Sequence, residues 1–409
     1  MPGFASDSAL GGSRPMDGLR VVDLTANVAG PLACQVLCDL GAEVIKVEPP
    51  TGEAARRITA TAPGFEHVNP YFSPNNRGKK SVRLDLGKPA DAEELERLVA
   101  VADVVVQGMR PGTMERHGLG PSRIAELNPG CVYVSISAYG GGSDLEDRRG
   151  IDMIVQAEAG CLSGQPPGRP PQLIPFQIVD GATGHVVAQA VLAAILHRER
   201  FGVVNEVRVS MYDVACSLQS NFLTLQMNTP APEQAAAPEA RRPVAVEPSG
   251  VYPTRDGELV LAAYVPAHWK RLITLVGRPE LAADPRFADQ AARSCHAAEL
   301  RTALTEILLT RTTEDWVALF SSAGLMAARV ETWRDVVESE LFARRRLRLR
   351  ARQEGREIDV VRTPAVYSGF ATTLATEIPA AGAHDGLLAG AASRRHNGEI
   401  LKVKSAHDH

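Results

Sequence analysis

The sequence of 409 residues lacks several features that would assign it at once to a simple class of protein. Its longest apolar run, near residues 186–196, is interrupted by Gln189 and is too short to span a lipid bilayer. The first residues contain no apolar signal core, so residues 1–15 are predicted to form a disordered tail rather than an export signal. A cytoplasmic protein without a membrane partner is therefore expected.

Cysteine is scarce as well, and the six cysteines include no CxxC pair. Cys34 and Cys38 lie one helical turn apart, but no second pair is nearby, so the sequence predicts reduced thiols and no metal. The net charge of −4 gives no reason to expect nucleic acid as a partner. Lysine is the rare cation, with 7 lysines against 37 arginines, and four of the seven fall in the first quarter of the chain.

What is present is an ordinary globular composition, with 44% apolar and 22% charged residues. These proportions exclude a disordered, collagen-like or coiled-coil chain, and the length suggests two or three domains. Short apolar runs alternate with segments of helical spacing. The predicted strands are 19–24, 44–47, 81–86, 104–107, 131–137 and 206–210, and the predicted helices are 31–40, 90–102, 121–127 and 183–200. This alternation predicts an α/β fold, with a large Rossmann-like domain and parallel sheet at residues 16–228.

The second half of the chain has a different organisation. Residues 229–249 are rich in Pro and Ala without periodicity, which is typical of a linker. Residues 250–335 are predicted to form a smaller α+β domain. The arginine-rich stretch 344–352 suggests either a nucleic-acid patch or a surface hairpin. Its period of two and the turn signal at Glu354-Gly355 favour the hairpin.

Two aspartates are candidates for chemistry. No GxGxxG follows the first strand, so an NAD or FAD enzyme is not favoured. Asp180 stands before the long apolar helix. It could cap that helix, or act as a carboxylate nucleophile whose neighbouring backbone N–H groups stabilise an oxyanion, and the two roles are compatible. Asp152 also lies near a helix start and has the same capping alternative.

Other candidates could bind anions or transfer protons. Arg110 and Arg116 follow a strand end and, with Arg77, Lys79 and Lys80, could hold phosphates, the alternative being solvated surface charge. His185 is expected to be a buried core histidine rather than a base. Residues 140–142, three glycines in a row, are expected to form a mobile loop at the same face of the sheet.

Short segments along the chain together carry a resemblance to one family. In the first domain they are Met16-Asp-Gly-Leu-Arg-Val-Val-Asp-Leu-Thr25, Ala29-Gly-Pro31, Asp39-Leu-Gly-Ala-Glu-Val-Ile-Lys-Val-Glu-Pro49, Asn76-Arg-Gly-Lys-Lys-Ser81, Arg110-Pro-Gly112, Asp180-Gly-Ala-Thr-Gly184 and Val207-Arg-Val-Ser-Met-Tyr-Asp213. In the second they are Tyr252-Pro-Thr-Arg-Asp-Gly257, Asp284-Pro-Arg-Phe287 and Glu314-Asp-Trp316. In this order they resemble the class III CoA-transferases, which include formyl-CoA and carnitine CoA-transferases and the α-methylacyl-CoA racemases. The resemblance covers about residues 16–370.

The resemblance implies that residues 336–409 return to the large domain and that two chains form an interlocked homodimer. This dimer would bind coenzyme A as acyl-CoA and transfer the CoA to a small carboxylic acid. It places the nucleophile at Asp180 and a residue of the active-site wall at Asp152. It assigns CoA contacts to Lys79 and Arg116, with Arg77 beside them. Met109 stands where the family has an aromatic residue near CoA, and Gly108 where it often has Asn.

The implied mechanism is transfer of CoA through an aspartyl anhydride and an aspartyl-CoA thioester on Asp180. The alternative within the family is racemisation of a 2-methylacyl-CoA, which needs a histidine directly before Asp152 to exchange the α-proton. Ile151 occupies that position and cannot transfer a proton, so a transferase is favoured. His185 is the remaining candidate base if it points into the site.

Overall fold

The computed structural model describes residues 13–142, 144–163, 170–204, 206–229, 247–372 and 374–388. Most of the predicted tail at 1–15 and of the predicted linker at 229–249 lies outside these residues. The chain divides into two compact units, one formed by residues 1–220 and 346–409 and the other by residues 221–345. The second unit is therefore longer at both ends than the predicted 250–335, and residues 336–345 belong to it rather than to the return segment.

The first unit is built on a six-stranded parallel sheet, which confirms the predicted α/β fold with a Rossmann-like large domain. Its strands are β1 (Arg20–Leu24), β2 (Glu43–Glu48), β3 (Lys80–Arg83), β4 (Val104–Gln107), β5 (Val132–Ser137) and β6 (Glu206–Ser210), in the order β3-β2-β1-β4-β5-β6. The order reverses between β1 and β4, where Leu24 pairs with Gln107. In open α/β sheets, ligands bind beyond the carboxyl ends of the strands at such a reversal.

Helices cover both faces of this sheet. They are α1 (Ala29–Asp39), α2 (Pro89–Val99), α3 (Thr113–Arg116), α4 (Pro121–Leu127), α5 (Asp152–Glu158), α6 (Ile178–Phe201) and α7 (Met211–Leu218). Alternate strand residues enter different cores: Val21 packs with Leu37 of α1, whereas Val22 packs with Leu95 of α2. The strands are apolar throughout because both of their faces are buried.

Helix α6 has the length and composition of a membrane span, but its packing is that of a core helix. Val187 and Val191 are fully buried in the core that also contains α1. Gly184 permits the close approach of the two helices, since a Cβ at this position would lie 2.7 Å from the backbone oxygen of Ala29. The helix starts at Ile178, five residues before the predicted start at 183.

The second unit is a separate α+β module, which includes most of α8 (Ser220–Asn228). Its antiparallel sheet consists of β7 (Ser249–Pro253), β8 (Glu258–Ala262) and β9 (Met326–Arg329). Its other helices are α9 (Pro266–Leu275), α10 (Glu280–Ala283), α11 (Gln290–Cys295), α12 (Ala297–Leu308), α13 (Thr313–Ser322), α14 (Trp333–Glu338) and α15 (Glu340–Arg344). Trp316 and Phe320 of α13 are buried in its core.

The return segment adds a three-stranded sheet to the first unit, formed by β10 (Arg348–Gln353), β11 (Arg356–Val361) and β12 (Glu377–Ile378). The predicted surface hairpin is confirmed, with Glu354 and Gly355 at positive φ in a two-residue turn. Arg350 pairs with Glu357 and Asp359 on the facing strand. Arg348 also pairs with Asp359. These cross-strand ion pairs argue against the nucleic-acid alternative.

Candidate functional site

A cavity of about 740 Å³ opens at the carboxyl ends of the central strands, where the strand order reverses. The loops after β1 and β4 form two of its walls, as expected for this class of sheet. Segments that precede α5 and α6 form the others. The lining residues fall in the ranges 25–30, 108–111, 136–138, 146–153 and 173–177, together with Ile58, Tyr71, Gln156, Asp180 and Met211.

Asp180 lines this cavity as the third residue of α6. Burial raises the pKa of its carboxyl group to about 7, and the negative charge of Asp152 adds to the shift. Within the part of the chain that the structure describes, the Asp180 carboxylate accepts no hydrogen bond. A poorly solvated carboxylate without donors is a more reactive nucleophile than a solvated one, and about half of it is ionised near neutral pH.

The capping role considered for Asp180 belongs instead to Asp152. One carboxylate oxygen of Asp152, Oδ2, accepts hydrogen bonds from the backbone N–H groups of Val179 (2.8 Å) and Asp180 (2.9 Å). The other, Oδ1, accepts from Gln156 Nε2 at 2.5 Å. The N-cap interpretation of Asp180 is therefore wrong. The N-cap position of α6 is held by Gln177, whose side chain makes no cap hydrogen bond.

The N-terminus of α6 offers no backbone donor to a bound oxyanion. Its first N–H, of Ile178, donates to Phe176 O at 2.8 Å, and that of Gly181 donates to Gln177 O at 2.9 Å. The N–H groups between them, of Val179 and Asp180, donate to Asp152 Oδ2. The predicted oxyanion role of these groups is therefore wrong, because all four are already satisfied.

Lys79 is buried below the loop that joins β1 to α1 and does not line the cavity. Its Nζ donates to Asp23 Oδ2 (2.8 Å), to the backbone oxygen of Pro31 (2.9 Å) and to Asn76 Oδ1 (2.9 Å). Its side chain is fully buried. These contacts argue against the predicted binding of CoA by Lys79, since the ammonium group has no exposed donor.

A second buried lysine holds the other end of the same loop. Lys46 Nζ donates to the backbone oxygen of Thr25 at 2.9 Å and pairs with Glu53 at 3.1 Å. Burial alone would raise the pKa of Asp23, but the charges of Lys46 and Lys79 hold it well below its usual range. The two lysines thus position the cavity wall 25–30 instead of touching what binds there.

Arg77 is the second predicted CoA ligand that is enclosed by the protein. Its guanidinium forms two hydrogen bonds with Asp39, at 2.6 and 2.5 Å, and a third with Thr363 Oγ1 at 3.2 Å. This pair joins the end of α1 to the return segment, away from the cavity. The contacts argue against CoA binding by Arg77, because its side chain is buried and its guanidinium already binds Asp39 and Thr363.

The remaining predicted CoA contacts are accessible. Met109 lines the cavity, and so does Arg110, whose guanidinium has no ion pair or hydrogen bond within the described residues. Arg116 lies at the end of α3, exposed, with one hydrogen bond to Thr113 Oγ1 at 2.8 Å. Lys80 is half-exposed and pairs with Glu43.

His185 is exposed on α6, so the prediction of a buried core histidine is wrong. It does not line the cavity, and no histidine is among the described residues that do. In the described part of the chain, no three His, Cys, Asp or Glu side chains are placed together so that they could hold a metal ion. Ile151, directly before Asp152, lines the cavity with its side chain exposed.

Two functional features escaped the sequence analysis. Gln156 is buried and bridges Asp152 to the backbone of Ile174, whose N–H donates to Gln156 Oε1 at 2.9 Å. Arg149 also lines the cavity. The sequence signals for Gln156 were its spacing, one helical turn after Asp152, and its place in the family-like segment from Asp152 to Ala157.

Comparison with known proteins assigns these features to one family. A sequence model of CoA-transferase family III matches residues 16–385. The chain is 50% identical over 381 residues to the protein named probable fatty acyl-CoA transferase Rv3272 of Mycobacterium tuberculosis, which covers 91% of this chain and 97% of that protein. It is 33% identical to the succinyl-CoA–D-citramalate CoA-transferase of Chloroflexus aurantiacus, over 81% and 82% of the two chains. The orthorhombic crystal structure of Rv3272 superposes with a TM-score of 0.83 at 48% identity, covering 92% of this chain and 99% of that one.

Proposed function

The chain belongs to family III of the CoA-transferases, and from this premise we propose that it moves CoA from an acyl-CoA to an acceptor carboxylic acid through covalent intermediates on Asp180. The observation that supports this most directly is the Asp180 carboxylate itself. It faces the cavity, and the described residues give it no donor that would lower its nucleophilicity. The predicted family is confirmed by the matches.

In the first half-reaction, an Asp180 oxygen attacks the thioester carbonyl carbon of the donor, and the C–S bond breaks. CoA thiolate leaves and an acyl–aspartyl anhydride remains. The thiolate then attacks the Asp180 carbonyl carbon, which releases the donor acid and leaves an aspartyl-CoA thioester. The acceptor carboxylate reverses both steps, so no net proton or oxidant is needed.

Asp152 acts in this scheme by holding the nucleophile in place. Its hydrogen bonds to the N–H groups of Val179 and Asp180 fix the first turn of α6. Its negative charge also raises the pKa of Asp180, which makes the ionised nucleophile more basic. Acylation of Asp180 removes its negative charge and with it the repulsion from Asp152, which favours formation of the acyl intermediate.

We assign the CoA-binding role to the accessible cations and to Met109. Arg110 lines the cavity, and Arg116 lies six residues further along, at the end of α3. Guanidinium groups bind phosphate oxygens through paired donors, so the two side chains suit the phosphates of CoA. Gly108 leaves room for the ligand, since the nearest side-chain atom to a Cβ built there is 3.9 Å away.

Trapping of the covalent intermediate tests the nucleophile. With acyl-CoA present, hydroxylamine should convert Asp180 to a hydroxamate and borohydride should reduce it to the alcohol, both visible in the mass of the peptide that contains Asp180. The Asp180→Ala variant should lose CoA exchange and the adduct together. Asp315→Ala, which removes an exposed carboxylate of the second unit, should retain both. Full exchange by Asp180→Ala would refute the proposal.

Racemisation is less well supported, because Ile151 replaces the required histidine and the described cavity wall contains no other. Incubation with a 2-methylacyl-CoA in deuterated water distinguishes the two reactions. A transferase should incorporate no deuterium at the α-carbon. Rapid incorporation without an acceptor acid would indicate a racemase.

We further propose that the chain works as the interlocked homodimer of its family. Exposed apolar side chains on the described helices support this proposal, because a partner chain would cover them. They include Phe201 on α6 and Phe222 and Met227 on α8. Mass measurement in solution by light scattering should give twice the 43.8 kDa of one chain. A cytoplasmic location and the absence of nucleic-acid and membrane partners stay predictions.

A further inference from the structure

We propose that Gln156 is a positioning residue of the transfer reaction, which acts through Asp152 on the nucleophile Asp180. Its side-chain amide holds the Asp152 carboxylate in the orientation that fixes the first turn of α6, and it ties that carboxylate to the cavity wall at Ile174. The inference rests on the proposed transfer through Asp180 and adds a residue that acts on the nucleophile through another side chain.

The hydrogen bonds of Gln156 engage both ends of its amide group. The side chain belongs to the cavity wall but is buried. Its Nε2 donates to Asp152 Oδ1 at 2.5 Å and lies 3.5 Å from the backbone oxygen of Ile174. Its Oε1 accepts from the backbone N–H of Ile174 at 2.9 Å. A buried amide with partners at both ends is held in a single conformation.

These partners determine which way the amide faces. A backbone N–H can only donate, so the atom opposite the nitrogen of Ile174 is the amide oxygen. An ionised carboxylate can only accept, so the group opposite Asp152 is the NH₂. Glutamate at this position would set two carboxylates opposite each other, and methionine would leave both neighbours without a bond. The site therefore uses the polarity of the Gln156 amide and not only its volume.

The Asp152 carboxylate needs this support because it positions backbone with its other oxygen. Its Oδ2 accepts from the N–H groups of Val179 and Asp180, at 2.8 and 2.9 Å, so its orientation decides where the first turn of α6 lies. An aspartate carboxylate rotates easily about its last bond, because that torsion has a broad energy minimum. The bond from Gln156 to Oδ1 removes this freedom.

The same amide connects the nucleophile to the segment that a substrate meets. Residues 173–177 line the cavity, and Ile174 lies within this segment. At its other end, Gln177 Nε2 donates to Tyr71 Oη at 2.8 Å. Nucleophilic attack depends on close alignment, and a misplacement of about 1 Å can cost about 100-fold in rate. Gln156 therefore keeps the wall segment and the nucleophile in a fixed relation.

A second glutamine of the same unit shows what a purely structural contact looks like. Gln219 follows α7, and its Nε2 donates to the backbone oxygens of Ala159 (2.9 Å) and Ala215 (3.0 Å), which joins the end of α5 to α7. Its side chain lies outside the described cavity wall. Both glutamines join α5 to a neighbouring segment, but only Gln156 is bonded to Asp152.

Substitution by methionine tests the role, because it keeps the length of the side chain and removes its hydrogen bonds. Gln156→Met should lower kcat for CoA exchange about 10- to 100-fold, while KM for acyl-CoA stays within about twofold. The matched control Gln219→Met should keep both constants within about twofold of the native values. Thermal unfolding of both variants shows whether a loss of kcat exceeds what an equal loss of Tm produces.

An exchange of donor and acceptor provides a rescue. In the double variant Asp152→Asn with Gln156→Glu, the new amide would donate to the new carboxylate, and the net charge of the pair would stay the same. The remaining oxygens would still accept the backbone N–H groups of Val179, Asp180 and Ile174. Each single substitution sets two donors or two acceptors opposite each other and should lower kcat. The double variant should be at least about fivefold more active than either single variant.

The outcomes distinguish this inference from the proposed transfer. A fall in kcat for Gln156→Met no larger than that for Gln219→Met would overturn the positioning role and leave Asp180 as the nucleophile. So would a double variant no more active than the two single variants. Absence of CoA exchange and of the Asp180 adduct in the native protein would overturn the transfer and the positioning role together. A selective loss of kcat that the double variant restores would support both.

Discussion

Replacement of Asp180 by Asn should stabilise the protein, and the gain should grow with pH. Burial raises the pKa of Asp180 to about 7 in the folded chain, with a further contribution from Asp152. In the unfolded chain the pKa of an aspartate is about 3.9. The folded state therefore holds the carboxyl group protonated between these values, whereas the unfolded state ionises it.

The magnitude follows from proton linkage. A carboxyl group whose pKa is raised on folding does not change the free energy of unfolding below about pH 4, where both states hold it protonated. Above that pH it lowers the free energy of unfolding, and the loss grows until the pH exceeds about 7. One pKa unit corresponds to about 1.36 kcal/mol, so the cost to folding is about 1.5 kcal/mol at pH 5 and about 4 kcal/mol at pH 8. Asp180→Asn removes this ionisation. Its stability relative to the native sequence should thus improve by about 2.5 kcal/mol between pH 5 and pH 8.

Thermal unfolding at the two pH values measures the effect. For a protein of this size, about 2.5 kcal/mol corresponds to a Tm difference of about 3–4 °C. The Tm of the variant minus that of the native sequence should increase by this amount from pH 5 to pH 8. Any effect of the new amide that does not depend on pH cancels in this comparison. Asp147→Asn, which alters an exposed carboxylate of the same cavity, is the control and should show no such change.

A Tm difference that is equal at both pH values would refute the reasoning. It would mean that Asp180 is solvated and ionises in the folded chain as in the unfolded one. A gain of the same size in Asp147→Asn would also contradict it, because the effect would then belong to the net charge of the cavity rather than to burial.

Two further substitutions test how the cavity wall is held. Lys79→Met should lower the free energy of unfolding, measured in urea, by about 3–5 kcal/mol, because it leaves Asp23 buried without its closest cation. The control Arg350→Ala, on the exposed hairpin, should cost less than about 1 kcal/mol. Equal losses in the two variants would contradict the role of Lys79 as the buried partner of Asp23. Gly184→Ala should lower the free energy of unfolding by about 1–3 kcal/mol, because its Cβ would lie 2.7 Å from the backbone oxygen of Ala29. The same contact would move the loop that lines the cavity, so KM for acyl-CoA should rise. Unchanged stability and KM would count against this close packing of α1 and α6.

Much of the fold followed from local pattern. Apolar runs alternating with helical spacing predicted every strand of the six-stranded sheet, because a sheet buried on both faces leaves a continuous apolar signal. The hairpin with arginines on alternate residues followed from its period of two and its turn residues. Asp180 was found by its place before the long helix and by its resemblance to a family motif.

The sequence alone determined the order of the elements, the class of the sheet and the candidate nucleophile, since these depend on residues that are neighbours along the chain. Only the tertiary structure decided that Asp152, 28 residues from Asp180, caps the helix that carries it. The same is true of Lys79, whose charge serves the buried Asp23 instead of a ligand. A charged side chain has the same local pattern whether it is buried or exposed, and its partner is chosen by contacts between distant segments.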